Sequence, residues 1–372
     1  MGRTPAALLA VALGLGLLLV ACGNNALPQP GPQADPTAAG APRVGVILPE
    51  TATSARWAHF DQPMLRSALQ RRGLAPIIQN AQGDAQKFAQ IADSMLSQRV
   101  EVLIIAAPSG DVGATVEQQA ARLGVPVIDY DRLSLGGSAD YYVSFDHEQV
   151  GALQARALAA ALRGRPGAQV IEIGGSLTDY NAALVHRGQT RTLGPHYAAG
   201  DLRLVSSRFV DGWDNQVAGQ IFEQLLTANG GRVDGVLAAN DGLAAAVITV
   251  LQKYGLAGAV PVTGQDSTVD GLRAILQGHQ SSTVFKPIQQ EADTAAELAA
   301  ALVRGDTAAA DALATQRVAD PVSGRLVRSV LLAPQLITRD NIKSVLGPGH
   351  VRAEEICGGD LAGACRRLGI SG

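Results

Sequence analysis

From Val44 onward, short apolar runs alternate with longer stretches in which apolar residues recur every three to four positions. The short runs are Val44–Leu48, Pro76–Gln79, Val102–Ala106, Pro126–Tyr130, Tyr142–Phe145, Gln169–Ile173, Leu202–Phe209, Gly235–Ala239, Pro261–Gly264, Ser282–Phe285 and Val327–Leu332, and they are expected as strands. The stretches between them read as helices. Asp61–Arg72 sets Met64, Leu65, Ala68 and Leu69 on one face at the helical period. Ala85–Gln98, Val112–Leu123, Glu148–Leu162, Asn181–Leu193, Gln216–Ala228, Gly242–Tyr254, Asp270–Gln277 and Ile288–Val303 follow. Many strand runs are continuously apolar, as strands buried on both faces are in a parallel sheet covered by helices. The class is α/β. About ten β-α units are too many for one compact doubly wound sheet, so two lobes are expected, with an eight-fold barrel as the alternative.

The N-terminus has a different pattern. Arg3 is the only charge before an apolar stretch from Ala6 to Val20. At 1.5 Å per residue such a helix spans about 22 Å, short of the roughly 30 Å hydrocarbon core, so an export signal fits better than a membrane span. The stretch ends Leu19-Val20-Ala21-Cys22-Gly23 and resembles a bacterial lipobox, in which a peptidase cuts before the cysteine and Cys22 carries a diacylglycerol. An ordinary signal peptide is the alternative. Gly23 to Pro42 holds Pro28, Pro30, Pro32, Pro36 and Pro42 with Asp35 as its only charge. That composition reads as an extended tether. Lipidation would anchor the exported chain to the outer face of the cytoplasmic membrane.

The 372 residues carry 30 basic and 33 acidic side chains, and 47% are hydrophobic. This supports two cores and argues against global disorder. A slightly acidic chain lacks the footprint of a nucleic-acid binder. Three cysteines are too few for a disulfide scaffold or a Cys-rich zinc module. Beyond Cys22 they are Cys357 and Cys365, which in an oxidising compartment are expected to close a short C-terminal loop; two free thiols are the alternative. The six histidines are scattered and suggest no metal spacing.

In open α/β sheets, ligands bind beyond the carboxyl ends of strands. The segments that follow the runs deliver Arg56 and Trp57, Asp131 and Arg132, Asp179 and Asn181, Trp213, Asn240, Asp266, and Lys286. Both tryptophans of the chain are among them. Carboxylates accept hydroxyl protons, Arg and Lys donate, and Asn does both. A flat indole covers the apolar face of a sugar ring at little entropic cost. Ion pairs among the charges would present a network that a neutral ligand completes. The mixture suits a monosaccharide.

At these residues the chain resembles the periplasmic sugar-binding proteins of ABC importers, in the D-xylose-binding and multiple-sugar-binding branch. The resemblance covers roughly Val44 to Leu346. It rests on ARW at Ala55–Trp57, YDR at Tyr130–Arg132, SFDHEQVG at Ser144–Gly151, GGSxxDxN at Gly174–Asn181, DGW at Asp211–Trp213, ND at Asn240–Asp241, GQD at Gly264–Asp266 and VFKP at Val284–Pro287. It implies two Rossmann-like lobes with parallel sheets, a three-segment hinge, a sugar in the cleft, an ABC permease as partner, a monomer and no cofactor. Arg56, Asp131, Arg132, Asp179, Asn181, Asn240, Asp266 and Lys286 would bond the sugar, between Trp57 and Trp213. Tyr180 departs from the Asn expected there, and Ser54-Ala55-Arg56-Trp57 is closer to the broader-specificity relatives, so the identity of the sugar stays open. The domain reading is a lipoprotein signal peptide at 1–21, lipidated Cys22 and tether at 22–42, an N-terminal lobe from 43–146 plus 284–322, a C-terminal lobe from 147–283 plus 323–350, and a tail at 351–372.

Each site residue has a plainer reading. The tryptophans could be core, Asp131 and Arg132 a structural pair, Asp179, Asp241 and Asp266 helix caps, and Lys286 a surface lysine. Neither phosphate-loop spacing occurs. Paired carboxylates near a sugar could serve glycoside cleavage, but no G-x-S-x-G, H-E-x-x-H or Cys/His pairing appears, so the chain reads as a binder rather than an enzyme. A sensor presenting its sugar to a membrane receptor is a further alternative.

Overall fold

The computed structural model describes residues 40–50, 54, 56–347 and 350–370. The signal peptide, Cys22 and all but the last three residues of the tether lie outside the described residues.

The first lobe is built on a seven-stranded sheet. In chain order its strands are β1 (Arg43–Leu48), β2 (Ala75–Asn80), β3 (Val102–Ile105), β4 (Val127–Tyr130), β5 (Tyr141–Phe145), β10 (Gln316–Ala319) and β11 (Leu326–Leu332). Across the sheet they run β10-β11-β5-β4-β3-β1-β2. All neighbours are parallel except β10 and β11. The continuous apolar runs have the expected cause. Val44, Val46 and Leu48 face one core with Trp57 and Phe60, while Ile47 faces another with Phe88, Met95, Leu103 and Ile105. Pro76, with no N–H to give, sits on the edge strand β2. Helices α1 (Gln62–Arg71), α2 (Ala85–Ser97), α3 (Gly110–Arg122) and α9 (Ile288–Val303) belong to this lobe.

The second lobe holds a parallel three-stranded sheet, β7-β6-β8, from β6 (Ala168–Gly174), β7 (Leu202–Phe209) and β8 (Gly235–Ala238). One face packs Phe222, Leu243 and Val247 of α6 (Asn215–Ala228) and α7 (Asp241–Lys253). The other packs Ala155, Leu158 and Leu193 of α4 (His147–Ala161) and α5 (Tyr180–Ala199). These two helices cross at glycines. A Cβ on Gly151 would lie 1.9 Å from the Val185 carbonyl oxygen, and one on Gly188 would lie 2.0 Å from that of Glu148. The expected strand Pro261–Gly264 is reduced to a single bridge, Val236 to Val262.

The chain passes between lobes after Phe145, after β9 (Thr283–Phe285) and after Leu332, where β12 (Gln335–Ile337) pairs antiparallel with β9. This is a three-segment hinge between two α/β lobes.

One expected boundary is corrected. The sequence reading places 323–350 whole in the second lobe, yet β11 pairs in parallel with β5 of the first, from Arg328–Tyr141 to Leu332–Phe145. An apolar run predicts a strand but not the sheet it joins. The C-terminal residues pack onto the body of the protein, and the expected disulfide is formed. Val351, Ile356, Leu361, Cys365 and Ile370 are buried with Leu272 and Ile275 of α8 (Val269–Gln277), and Cys357 is bonded to Cys365 with Cα atoms 5.8 Å apart. Among the described residues no helix is long and apolar enough to cross a membrane.

Candidate functional site

Beyond β1 the chain enters a π turn, Trp57–Asp61, that runs straight into α1. It buries Arg56 almost completely, at 2% exposure. A guanidinium in that position needs acceptors for its fork of donors. It donates to both oxygens of Asp61 (2.6 and 2.9 Å), to Asp131 Oδ2 (2.7 Å) and to Glu291 Oε2 of α9 (3.1 Å). The Tyr130 hydroxyl donates to Asp61 as well, at 2.8 Å. The guanidinium lies 4.4 Å from the centroid of the Trp57 ring, and that of Arg132 lies 5.4 Å from it.

Backbone geometry at the strand ends aims the remaining groups. Asp131 (φ +61°), Trp213 (φ +58°) and Asp266 (φ +95°) adopt left-handed conformations, which cost side-chain-bearing residues energy and are held only where the surroundings enforce them. Asp131 directly follows β4, Trp213 closes the short turn Asp211–Trp213 after β7, and Asp266 follows the bridged segment at Val262. Trp213 follows Gly212, also left-handed at φ +60°, so the chain turns sharply after β7 and carries the indole inward. The ring lies against Gly175, where a Cβ would sit 2.1 Å from Cη2. Only glycine leaves room for it.

The lobes meet through these side chains. Arg132 pairs with Asp179 of the other lobe at 3.0 Å. Asn181 donates to the Asp131 carbonyl oxygen (2.9 Å) and to its Oδ1 (3.1 Å). Lys286, just past the hinge strand β9, pairs with Asp266 at 3.0 Å and lies 3.7 Å from Asp131. Trp213 Nε1 donates to Asp179 Oδ2 at 3.2 Å.

Several plainer readings are settled by these contacts. Asp179 does cap α5, accepting from Asn181 N at 3.0 Å, and holds Arg132 and Trp213 besides. Asn240, not Asp241, caps α7, accepting from Leu243 N at 2.9 Å. Asp241 is a buried hub that accepts from Thr268, Gln280 and Thr283. Asp266 caps nothing; Thr268 caps α8. Lys286 is buried. Asp131 and Arg132 bind different partners, so they are not a pair.

Burial would push the Asp131 carboxyl up, but Arg56 and then Lys286 hold it well below the usual carboxylate range. Burial and the charge of Asp131 push Glu291 well above its ordinary value. Glu291 therefore holds its proton more readily than Asp131 does. Burial also drives Asp241 up to about 7, with the Asp266 charge adding to it. The charges lining the site are thus largely matched among themselves, and an uncharged polar guest needs no counterion. Among the described residues no group of three or more His, Cys, Asp or Glu side chains could hold a metal ion.

All ten residues singled out by strand-end position, from Arg56 to Lys286, line one cavity with about 390 Å³ of free space, part of it open to solvent. Both indoles border it. The same cavity is lined by Glu50, Ser54, His147, Val185 and Gln265, which were not singled out. His147 and Gln265 stand within two residues of a strand end or a chosen residue, so the same positional rule reaches them. Asp61 and Glu291, which hold Arg56 from behind, had a fainter signal. Glu291 is an acid on the apolar face of α9, beside Ala292 and Ala295, where a buried partner is required.

The family described as "periplasmic binding protein domain" matches residues 44–307. The D-xylose-binding periplasmic protein of Escherichia coli is 35% identical over 302 residues, covering 81% of this chain and 88% of that protein. A multiple sugar-binding periplasmic protein of Azospirillum brasilense is 34% identical, covering 90% of this chain and 94% of that one. Among solved structures, a carbohydrate transporter solute-binding protein of Chloroflexus aurantiacus in complex with D-glucose superposes with a TM-score of 0.74 at 28% identity, covering 81% of this chain and 94% of that one.

Proposed function

The chain belongs to the periplasmic binding protein family, whose members bind solutes and are not enzymes, and on that premise we propose that it captures an aldose between its lobes and delivers it to an ABC importer. The observation that carries this reading is the cavity itself. Two indoles and charges from both lobes border a single space, and the charges already satisfy one another. A neutral polyhydroxylated ring complements such a wall: its hydroxyls enter the hydrogen-bond network and its C–H faces meet the indoles.

In this reading Arg56, Asp131 and Arg132 bond the sugar from the first lobe, and Asp179, Asn181, Asn240 and Asp266 from the second. Lys286 donates from the hinge, while Trp57 and Trp213 cover the ring faces. The sugar is D-xylose or a related aldose. D-xylose and D-glucose in the names of the relatives support that class. A ligand that touches both lobes binds the closed arrangement better and shifts the population toward it. The cross-lobe pair Arg132–Asp179 and the Asn181–Asp131 bonds are contacts of that closed state. An affinity near 1 μM corresponds to about −8 kcal/mol; over roughly ten heavy atoms this stays below the ceiling for small ligands. The protein is exported, anchored by lipid on Cys22, held off the membrane by the proline-rich segment, and acts as a monomer.

The test is a thermal-shift screen of the mature protein against aldopentoses and aldohexoses. A ligand selective for the folded state raises the melting temperature by mass action. An aldose that does so at micromolar concentration supports the reading, and a panel without any effect refutes it. For the anchor, Cys22→Ala should leave the exported protein in the soluble fraction; membrane association unchanged by that substitution would refute lipidation.

A further inference from the structure

We propose that His147 is a ligand-contacting residue of this cavity, its Nδ1 accepting a hydrogen bond from a hydroxyl of the bound sugar. The inference rests on the sugar-binding reading above. His147 is the first residue of α4, reached directly after the chain leaves β5 and crosses between the lobes. It is buried at 2% exposure and lines the cavity.

The ring's tautomer follows from counting protons. Ser144 Oγ lies 2.7 Å from the Asp131 carbonyl oxygen and 3.0 Å from His147 Nε2. A carbonyl oxygen has no proton to give, so the short contact requires the Ser144 hydroxyl to donate to it. That uses the serine's only proton. The contact with His147 then requires the proton to sit on Nε2, which donates to Ser144 Oγ. Burial holds the imidazole pKa down to about 3; Asp131 opposes this, and Lys286 and Arg56 reinforce it. The ring is therefore neutral, and Nδ1 presents a bare lone pair.

That lone pair is buried without a hydrogen-bond partner among the described residues. A buried acceptor left unpaired is costly, and a metal is not the remedy here, because no metal-holding cluster surrounds it. Arg132 Nε and Asp266 Oδ1 on the cavity wall also lack a hydrogen bond but have ion-pair partners at 3.0 Å, whereas Trp57 Nε1, a donor, and Gln265 Oε1, an acceptor, have neither. One unmatched donor and two unmatched acceptors are what a set of hydroxyls, each able to give and to accept, can satisfy together. His147 Nδ1 can only accept. It therefore demands an O–H at its position and rejects a sugar lacking that hydroxyl.

Two measurements on the mature protein test this, with D-xylose and D-glucose as probes. Nitrogen-15 NMR of the imidazole, assigned by its loss in His147→Asn, should show Nε2 protonated throughout and the Nδ1 resonance moving on saturation with sugar. Calorimetry should find one singly deoxygenated analogue that binds wild type at least tenfold more weakly than its parent. In His147→Phe that ratio should fall towards one while the other deoxy positions keep theirs. An Nδ1 resonance unmoved at saturation, a proton found on Nδ1, or a full deoxy ratio retained at every position in His147→Phe overturns the proposal. If His147→Phe does not fold, the spectrum of the wild type decides alone. Sugar binding with an unmoved Nδ1 sinks this inference only; if neither probe binds, the aldose that raises the melting temperature in the panel takes their place, and failure of every aldose to bind wild type sinks the aldose reading with it.

Discussion

Asp131→Asn removes one charge from the centre of the site and little else. Asparagine keeps the shape, tolerates the left-handed backbone and can still accept from Asn181. What is lost is an ionised oxygen 2.7 Å from Arg56 and 3.7 Å from Lys286. Removing one partner of a buried pair costs about 3–5 kcal/mol when the other charge is left alone. Arg56 is not left alone. Asp61 still grips it through two oxygens and Glu291 through one. Burial and then the Asp131 charge raise the Glu291 pKa, so removing that charge makes Glu291 easier to ionise and lets it take over part of the role. The expected loss of folding stability without sugar is therefore smaller, about 1–3 kcal/mol. Sugar affinity should fall further than stability suggests, because a charged acceptor is missing from the wall. A charge-assisted bond of about 1.5–3 kcal/mol corresponds to roughly 10- to 150-fold. Urea unfolding measures the first quantity and calorimetry with the best aldose the second. Compensation by Glu291 is checked by a double-mutant cycle: Asp131→Asn should be more damaging in a Glu291→Gln background. Wild-type sugar affinity in Asp131→Asn would refute its role at the ligand, and strict additivity of the two substitutions would refute the compensation.

Glu291→Gln alone tests the protonation of that residue. Its pKa is raised in the folded protein by burial and by Asp131, so its contribution is complete below about pH 4 and is lost as pH rises through the raised value; the variant should show a flatter decline of melting temperature as pH rises above about 4, and parallel curves would contradict this. Gly175→Ala should displace the Trp213 indole, whose Cη2 would stand 2.1 Å from the new Cβ, and weaken sugar binding at least tenfold by calorimetry; unchanged affinity would show that the ring position is immaterial. Cys357→Ser with Cys365→Ser opens a short loop (sequence separation 8) and should cost about 2–3 kcal/mol in urea unfolding, without changing sugar affinity in the folded protein.

The parts of the fold that were legible in the sequence are those with strong local patterns. Val102–Ile105 and Val127–Tyr130 are buried on both faces, and such runs show themselves without knowledge of their neighbours. The strand β10, Gln316–Ala319, is an edge strand with Gln316, Arg317 and Ala319 exposed, so no apolar run marks it. The partner of β11 was hidden for another reason: pairing Arg328 of β11 with Tyr141 of β5 joins distant parts of the chain, a long-range choice that composition does not record. The ten cavity-lining residues were legible because chemistry collects at strand ends, and strand ends follow from the runs. What sits behind them was not. Asp61 and Glu291 hold Arg56 from two different helical segments, and only the folded chain brings them together.

The central claim is that one interlobe cavity takes an uncharged sugar between the indoles, and the intrinsic fluorescence of the mature protein tests it most directly. The chain has two tryptophans, Trp57 and Trp213, and both line that cavity, so its tryptophan emission reports on the site and nothing else. Titration with D-xylose or D-glucose should give a saturable change in emission whose midpoint matches the calorimetric affinity. A sugar that raises the melting temperature yet leaves the emission unchanged at saturation would mean that it binds elsewhere, and would contradict the account.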